Sequence, residues 1–451
     1  MSYNVGYFGD NRLKKNGELI CRSMAEKQTV CLRQLGGHRS GEVKISRWFA
    51  NESVTQGELI ENITNKVKQL ARGRQVLAIQ DTTEINYQAH KNKIKGLGTV
   101  GNGKDIGFFM HPMLVIDAES GACLGLAAIK LWNRTQAACK DYHKQPIEEK
   151  ESYRWIETAH YAKEILTETS QITIIADRES DIYEEWIRIP DEKTHLLTRA
   201  CRDRKLTNGD FLFNHVNSLK SEGCYQIEVK KRTDKRSAHV AKLEIRFGEI
   251  EINKPIKCTD KKAPTSIKLR VIDVKEVEES VIDGEEPIHW CLLSTHHITR
   301  LEEALEIVGF YCQRWNIEQL FRTLKKQGLD IESSQMESAE GVMKLGILAL
   351  YAALQTMQLT LAREGKDQLI SVVFSEREIR FLLAVCTSLE GKTDKQKNAN
   401  PPEKLSWASW IIARLGGWKG YQSESPPGPI TIFKGLKQFN TLYQGYLLAG
   451  I

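Results

Sequence analysis

The sequence reads VLAIQD over residues 76–81 and ITIIAD over residues 172–177. Each stretch is a short apolar run that ends in an aspartate, which is typical of a buried strand whose last side chain reaches the edge of a sheet. A helical pattern over 148–168 separates the two strands, and a helix over 179–188 and a strand over 195–199 follow them. This order predicts a mixed α/β sheet flanked by helices.

The remaining sequence predicts three further regions around this α/β core. Residues 1–70 show short helical patterns with several exposed-type basic residues, which fits either a DNA-binding module or a helical packing domain. Residues from about 200 to 290 alternate Val and Ile with charged and turn residues, and this predicts an inserted antiparallel sheet. One long helix is expected over 300–328, and the last part of the chain, 366–451, is expected to be helical.

Composition and charge limit the class of protein. The chain has 451 residues, of which 41% are hydrophobic and 27% charged, so intrinsic disorder is excluded as the dominant state. The net charge of +6 is unevenly distributed: residues 1–80 carry a surplus of +6 and residues 199–262 a surplus of +7. Such concentrations are typical of surfaces that face nucleic acid, although solvated protein surfaces also produce them.

Targeting and redox signals are weak. No run of about 18 apolar residues and no signal-peptide pattern is visible, so we expect neither a membrane span nor export. The two closest of the ten cysteines, Cys21 and Cys31, are ten positions apart, which excludes a CxxC motif and favours reduced thiols in a cytoplasmic protein. The adjacent pair His296 and His297 is interpreted as part of a turn rather than as a metal site.

Two aspartates at the ends of neighbouring strands can bind a divalent metal ion. If the two strands lie side by side, Asp81 and Asp177 come close together, and their hard oxygen ligands suit Mg²⁺ or Mn²⁺. The alternative is that each aspartate only caps the segment that follows it, as Asp177 could do for the helix after it. For either aspartate alone, capping is the simpler interpretation.

A helical pattern over 311–326 strengthens the metal hypothesis. At about 100° per residue, one stripe of this predicted helix carries Glu318 together with several cationic and aromatic side chains, and its opposite face is apolar. A single carboxylate among cations suits phosphodiester chemistry, whereas a surface helix with i,i+4 ion pairs would explain only the pair Arg314–Glu318. The polar stripe and its flanks consist of Tyr311, Arg314, Trp315, Glu318, Arg322 and Lys325.

The spacing Tyr311-x2-Arg314-x3-Glu318-x6-Lys325 resembles the Tyr-Arg-Glu-Lys signature of the insertion-sequence-four group of bacterial DDE transposases, and in particular its transposon-five cut-and-paste branch. Further blocks resemble the same group over nearly the whole chain. They are the first-aspartate strand (80–83), the second-aspartate block (177–183) with the helix before it (149–155), the N-terminal opening (8–13), and the C-terminal positions 415–418 and 435–436.

The resemblance implies a ribonuclease-H-like mixed-sheet core with an antiparallel β insertion, flanked by helical N- and C-terminal domains. It implies a DNA-binding domain over 1–70, a catalytic domain over 71–365 with the insertion at about 200–290, and a dimerisation domain over 366–451. The implied metal-binding and catalytic triad is Asp81, Asp177 and Glu318. The implied DNA contacts are Arg199, Trp290, Tyr311, Arg314, Trp315, Arg322 and Lys325, with Trp290 stacking on a flipped base.

The implied activity is cut-and-paste transposition by two Mg²⁺ ions, for which Mn²⁺ can substitute, through strand hydrolysis, hairpin formation and strand transfer. The partners would be double-stranded DNA, as transposon terminal repeats and as target, and a second copy of the chain in a synaptic dimer; no membrane is involved. Two alternatives stay open: a transposon-end-binding derivative without catalysis, and a two-metal nuclease without strand transfer. All three carboxylates are present, which argues against the first.

Overall fold

The computed structural model describes residues 4–91, 93–101, 103–134, 144–229, 231, 236–363, 368–421 and 424–450. The strands of this described part belong to one large sheet. In chain order they are β1 (Gln75–Gln80), β2 (Thr83–Asn86), β3 (Gly98–Val100), β4 (Asp105–Asp117), β5 (Cys123–Trp132), β6 (Gln171–Ala176), β7 (Thr194–Arg199), β8 (Gly223–Val229), β9 (His239–Asn253), β10 (Ser266–Glu276) and β11 (His289–Ser294).

The sheet is mixed, as the sequence predicted. Its strand order is β2-β4-β1-β6-β7-β11-β10-β9-β8, and β3 and β5 also pair with β4. The three central strands β1, β6 and β7 are parallel to one another, and all other pairs are antiparallel. The strands β8 to β11, which the sequence predicted as an inserted sheet, continue the central sheet because β11 pairs with β7.

Alternating side chains of the central strands bury both faces of the sheet. In β1, Leu77 and Ile79 face one apolar core, and Val76 and Ala78 face the other. This period of two is the geometric signature of a strand that is covered on both sides. The second core is closed by the helices α5 (Tyr153–Ile165), α6 (Tyr183–Arg188) and α7 (Leu212–Ser218). The helix α5 is shorter than the predicted 148–168 because a separate 3₁₀ turn forms Ile147–Glu149.

The first core is covered by helices from both ends of the chain. Its main element is a long helix, Ala339–Ala362, which is capped by the Ser338 hydroxyl and packs against the N-terminal helices. By length and a mean hydropathy of 1.5 this helix could cross a membrane, but 94% of the tested window is buried, as in the core helix of a folded domain. The helices in this layer are α1 (Asn11–Lys27), α2 (Leu32–Gly36), α3 (Arg39–Phe49), α4 (Gln56–Ala71), α8 (Leu301–Cys312), α9 (Trp315–Leu324) and α10 (Ala339–Ala362).

The C-terminal helices form a third apolar cluster that shares the end of α10. They are α11 (Glu376–Leu389), α12 (Leu405–Leu415) and α13 (Pro429–Leu448). The helices α12 and α13 approach closely at Gly435, where an added Cβ would lie 1.8 Å from the carbonyl oxygen of Ile412. Trp418, in the part of the chain that was expected to be helical, lies in the loop after α12.

One predicted element is wrong: the single helix over 300–328 is two helices, α8 and α9. At the junction, Gln313 and Arg314 donate backbone hydrogen bonds to carbonyls only three residues back, so the chain tightens into a turn. The second helix ends at Leu324 because the chain folds back there, and the Leu329 N–H donates a hydrogen bond to the Thr323 carbonyl. The absence of a side chain at Gly328 allows the chain to come this close to that carbonyl. Lys325 therefore lies past the helix and does not continue the predicted stripe.

Candidate active site

The two aspartates follow neighbouring parallel strands. Ile79 in β1 pairs with Ile175 in β6, and Asp81 and Asp177 each come two residues later. Asp81 accepts a hydrogen bond of 2.7 Å from the Thr82 N–H, and Asp177 accepts one of 2.9 Å from the Glu179 N–H. Asp177 thus caps the turn after its strand, as the alternative interpretation proposed, and it also lies beside Asp81 at the same edge of the sheet.

Glu318 reaches the same edge from α9, and Arg314 joins it to Asp81. The Arg314 guanidinium donates to Asp81 Oδ2 over 3.1 Å and forms a second, short ion pair with Glu318. All three side chains are largely buried, with 18% of the Arg314 and Asp81 side chains and 29% of the Glu318 side chain exposed. One cation therefore neutralises two carboxylates that are more than 230 positions apart in the chain.

The electrostatics of Asp81 show how crowded the site is. Burial, together with the nearby charges of Asp177 and Glu318, raises the pKa of Asp81 to about 7. Arg314 and the Thr82 N–H act in the opposite direction. Raised carboxylate pKa values of this origin cluster at functional sites, because like charges are held close together there.

Tyr311, Arg199 and Trp290 form a group beside Asp177. Tyr311 is in the last turn of α8, and its ring centroid lies 6.4 Å from that of the half-buried Trp290. Arg199, the last residue of β7, donates a 2.6 Å hydrogen bond to the His289 carbonyl. Burial raises the pKa of Tyr311 and Asp177 adds to this effect, whereas Arg314, Arg199 and Arg178 lower it, which places the three guanidinium groups around the phenol.

The remaining predicted DNA contacts lie further along α9. Trp315 is 39% exposed, and the guanidinium of Arg322 lies over its ring, 5.0 Å from the centroid. Lys325, past the end of the helix, has its Nζ 3.9 Å from a carboxylate oxygen of Glu332. The structure thus brings Asp81, Asp177 and Glu318 to one edge, and leaves the pair Trp315–Arg322 on the surface beside them.

Sequence reasoning missed the residues that hold the two aspartate strands together. The buried Arg154 on α5 donates to the Thr82 hydroxyl over 2.9 Å and also pairs with Glu179. Arg154 therefore contacts the residue after Asp81 and the residue two positions after Asp177. In the sequence, only the resemblance of residues 149–155 to the transposase group pointed to this region. Local patterns do not indicate the contact itself, because Arg154 and Thr82 are 72 positions apart in the chain.

A second part of this network is fully buried beneath the site. The side chain of Gln80 accepts from Thr158 over 2.8 Å, contacts His111 over 3.2 Å and donates to Glu185 over 3.2 Å. Burial raises the pKa of Glu185 to about 8, and burial holds the pKa of His111 well below its ordinary value. These neutral groups fix the residue that precedes Asp81 in β1 without adding charge under the site.

The three carboxylates supply the hard oxygen donors that Mg²⁺ and Mn²⁺ prefer. Among the residues that the structure describes, however, no three or more His, Cys, Asp or Glu side chains form a group that could hold a metal ion. The Arg314 guanidinium instead binds both Asp81 and Glu318. The donor types therefore fit a divalent cation, and the arrangement would accept one only after Arg314 moves away.

Among solved structures, the chain is similar to the cryo-EM structure of the piggyBac transposase synaptic complex with hairpin DNA. The sequences are 9% identical, the TM-score is 0.36, and the match covers 86% of this chain and 78% of that chain. A likeness this weak carries no argument about the site.

The family comparison concerns the central part of the chain. The family model described as the transposase DDE domain matches residues 134–354. This range contains Asp177, Glu318 and all the predicted DNA contacts, and it begins after Asp81. The central segment, residues 134–354, is therefore similar to the transposase DDE domain.

Proposed function

We propose that this protein is a cut-and-paste DNA transposase of the insertion-sequence-four group, with the Tyr-Arg-Glu-Lys signature of its transposon-five branch. The observation that carries the proposal is the meeting of Asp81, Asp177 and Glu318 at one sheet edge, surrounded by cations. The transposase DDE domain match over 134–354 supports the same class. The strand order β5-β4-β1-β6-β7, with β1, β6 and β7 parallel, supports a ribonuclease-H-like core.

Asp81, Asp177 and Glu318 would hold two divalent ions, Mg²⁺ or Mn²⁺. When bound, such ions activate water and stabilise the leaving 3′-oxygen of the scissile phosphate. The side chains around them bind and position the DNA. Arg199, Arg314, Arg322 and Lys325 neutralise phosphates, and the Tyr311 hydroxyl donates a hydrogen bond to one of them.

Trp290 would stack on a base that is turned out of the duplex when the transposon end forms a hairpin. Extruding a base costs a few kcal/mol, which aromatic stacking of about 1–3 kcal/mol can offset. The freed 3′-hydroxyl would attack the opposite strand and, after hairpin opening, the target DNA. The proposal includes a bacterial cytoplasmic protein, a synaptic dimer through residues 366–451 and a DNA-binding role for residues 1–70.

The test compares Asp81→Asn, Asp177→Asn and Glu318→Gln with the control Glu306→Gln on purified protein. Glu306 is exposed on α8 and makes no ion pair with the described residues, so its substitution removes one carboxylate of the same helix layer. With Mg²⁺ and DNA that carries the ends flanking the gene, we expect wild type and Glu306→Gln to nick the ends. The three site variants should lose cleavage by at least about a thousandfold while still binding the DNA.

The products decide between the proposal and its alternatives. Hairpins and joined products support transposition, whereas cleavage without either indicates a two-metal nuclease. End binding without any cleavage by the wild type indicates a non-catalytic derivative. Cleavage that survives in Glu318→Gln overturns the assignment of the triad.

A further inference from the structure

Two cavities of about 390 and 490 Å³ join into a groove that begins beside Asp177. The smaller one starts at Arg178, the residue after Asp177, and the larger one extends to the loop that contains Lys257. They share Ser152, Glu179 and Arg202 as lining residues. We call these joined cavities the strand groove; each is within the size range of ligand sites, about 300–1,000 Å³.

The carboxylates that line the strand groove already have partners. Glu179 pairs with Arg154, and Asp181 forms a buried ion pair with Arg204. Glu184 makes a side-chain hydrogen bond with the Cys258 thiol. In the adjoining wall, Asp260 pairs with Arg188 over 2.8 Å. No wholly unpartnered carboxylate therefore remains to attract a cation into the groove.

Four other cations along the strand groove, by contrast, have no counter-ion among the described residues. Lys150, Arg178, Arg202 and Lys257 make no ion pair with the described part of the chain. Arg178, Arg202 and Lys257 are exposed, and Lys150 is half-buried. Four unpaired cations in a continuous concave surface attract a polyanion such as a nucleic acid backbone.

The floor of the strand groove holds one of these cations in place. Asp181 has none of its side chain exposed, and it accepts hydrogen bonds from the backbone N–H groups of Cys201 (2.9 Å) and Arg202 (3.2 Å). Because Arg204 neutralises Asp181, this carboxylate fixes the backbone of Arg202 without cancelling the positive charge of the Arg202 side chain. The groove is a built feature of the fold, tied to the turn that follows β7.

The aromatic side chains that line the groove are buried and offer no stacking face. Trp155 is fully buried, and Tyr183 is 2% exposed with its hydroxyl donating to the Pro264 carbonyl over 2.9 Å. Proteins that read bases of single strands use exposed aromatic platforms, whereas cations alone bind the backbone. The chemistry of this groove therefore suits phosphates and not bases.

We infer that the strand groove binds the sugar-phosphate backbone of one DNA strand, on the Asp177 side of the scissile phosphate and independently of its base sequence. This inference rests on the proposed function, because DNA phosphates lie near the groove only if the neighbouring active site binds DNA. Tyr311 and Trp290 are not among the residues that line the groove, so it would hold a strand segment that these two residues do not contact.

The experiment uses the full-length protein and the double variant Lys150→Ala/Lys257→Ala, with Lys261→Ala/Lys262→Ala as a charge-matched control. Lys261 and Lys262 are exposed in the same loop but do not line the groove. Binding of a fluorescent single-stranded 12-mer is measured by anisotropy in EDTA at several salt concentrations. Thermal unfolding midpoints confirm that both double variants are folded.

We expect the groove variant to bind the oligonucleotide about tenfold more weakly than wild type at 100 mM salt. Its plot of log affinity against log salt should be shallower by about 1.4, which is two single-strand phosphate contacts at about 0.7 each. The control should match wild type, and two oligonucleotides of unrelated sequence should give the same result. Equal losses in both double variants, or no loss in either, would overturn the inference.

A competition experiment distinguishes the phosphates of a DNA strand from those of a small ligand, either inorganic phosphate or a nucleotide. Inorganic phosphate and a deoxynucleoside triphosphate are each added at millimolar concentration to the bound oligonucleotide. Displacement only by an excess of unlabelled strand supports strand binding, whereas displacement by millimolar inorganic phosphate or nucleotide shows a site for a small phosphate ligand and overturns it. The inference also fails separately from the proposed function: loss of cleavage in Glu318→Gln with unchanged strand binding in the groove variant refutes only the groove.

Discussion

Arg314 donates a hydrogen bond of 3.1 Å to Asp81, a residue 233 positions earlier in the chain. The same guanidinium pairs with Glu318, four positions later, so it neutralises two of the three proposed metal ligands. A guanidinium and a divalent cation compete for the same carboxylate oxygens. Arg314 therefore acts as an internal counter-ion, and a metal ion that bound these carboxylates would release it toward the DNA phosphates.

Replacing this counter-ion should strengthen metal binding in the absence of DNA. We expect Arg314→Gln to bind Mn²⁺ about five- to tenfold more tightly than wild type, because one competing charge close to the site is lost. The measurement is a calorimetric titration at pH 8, where a raised pKa of Asp81 matters least. The control is Arg322→Gln, whose guanidinium lies over Trp315. Weaker Mn²⁺ binding by Arg314→Gln than by Arg322→Gln would contradict this role.

Trp290 is expected to act in hairpin formation rather than in the first cut. Trp290→Ala should nick the transposon end at a rate close to wild type and yield about tenfold less hairpin, since base stacking of about 1–3 kcal/mol is lost. Trp290→Phe keeps an aromatic face and should recover most of the hairpin. Both products are separated on denaturing gels. Hairpin yield at the wild-type level in Trp290→Ala refutes the stacking role.

His296 should make the folded protein sensitive to acid. It contacts the Thr173 hydroxyl over 2.9 Å and stacks on His195, with the ring centroids 4.1 Å apart. Burial, with a smaller contribution from His195, lowers the pKa of His296 from 6.5 to about 3. Between these two values the unfolded chain binds a proton that the folded chain does not, so stability falls as the pH falls through this range, by up to about 1.4 kcal/mol per pH unit.

The measurement is the thermal unfolding midpoint from pH 7 to pH 4.5. The variant His296→Gln should show a flatter dependence than wild type, and the neighbouring exposed His297→Gln should retain the wild-type slope. Parallel curves for wild type and His296→Gln would show that other groups cause the acid sensitivity.

Two glycines of α13 make it possible to distinguish the effect of close helix packing on stability from the effect of helix propensity. A Cβ at Gly435 would meet the Ile412 carbonyl oxygen at 1.8 Å, whereas a Cβ at Gly445 has nothing within 4 Å. We expect Gly435→Ala to force α12 and α13 apart at a cost of about 1–3 kcal/mol and to lower the unfolding midpoint by several degrees. Gly445→Ala should leave the midpoint unchanged or raise it, because alanine favours the helix. Equal midpoints for both variants would contradict the close approach.

The sequence by itself determined the elements that depend on local patterns. The apolar alternation of β1 and the β-branched run of β6 specify strands, because each side chain must face one of two cores. The same patterns placed Asp81 and Asp177 at strand ends, and the spacing from Tyr311 to Glu318 identified the third carboxylate. These features needed no knowledge of which strands pair.

Only the tertiary structure decided which distant groups meet. The break between α8 and α9 follows from turn hydrogen bonds and from the fold-back at Gly328, which helical periodicity over 311–326 does not reveal. Three further features bring together segments that are more than 50 positions apart in the chain. They are the hydrogen bond from Arg314 to Asp81, the hydrogen bond from Arg154 to Thr82, and the unpaired cations Lys150 and Lys257 of the strand groove. Such contacts depend on strand order and helix packing, and local sequence patterns carry no information about them.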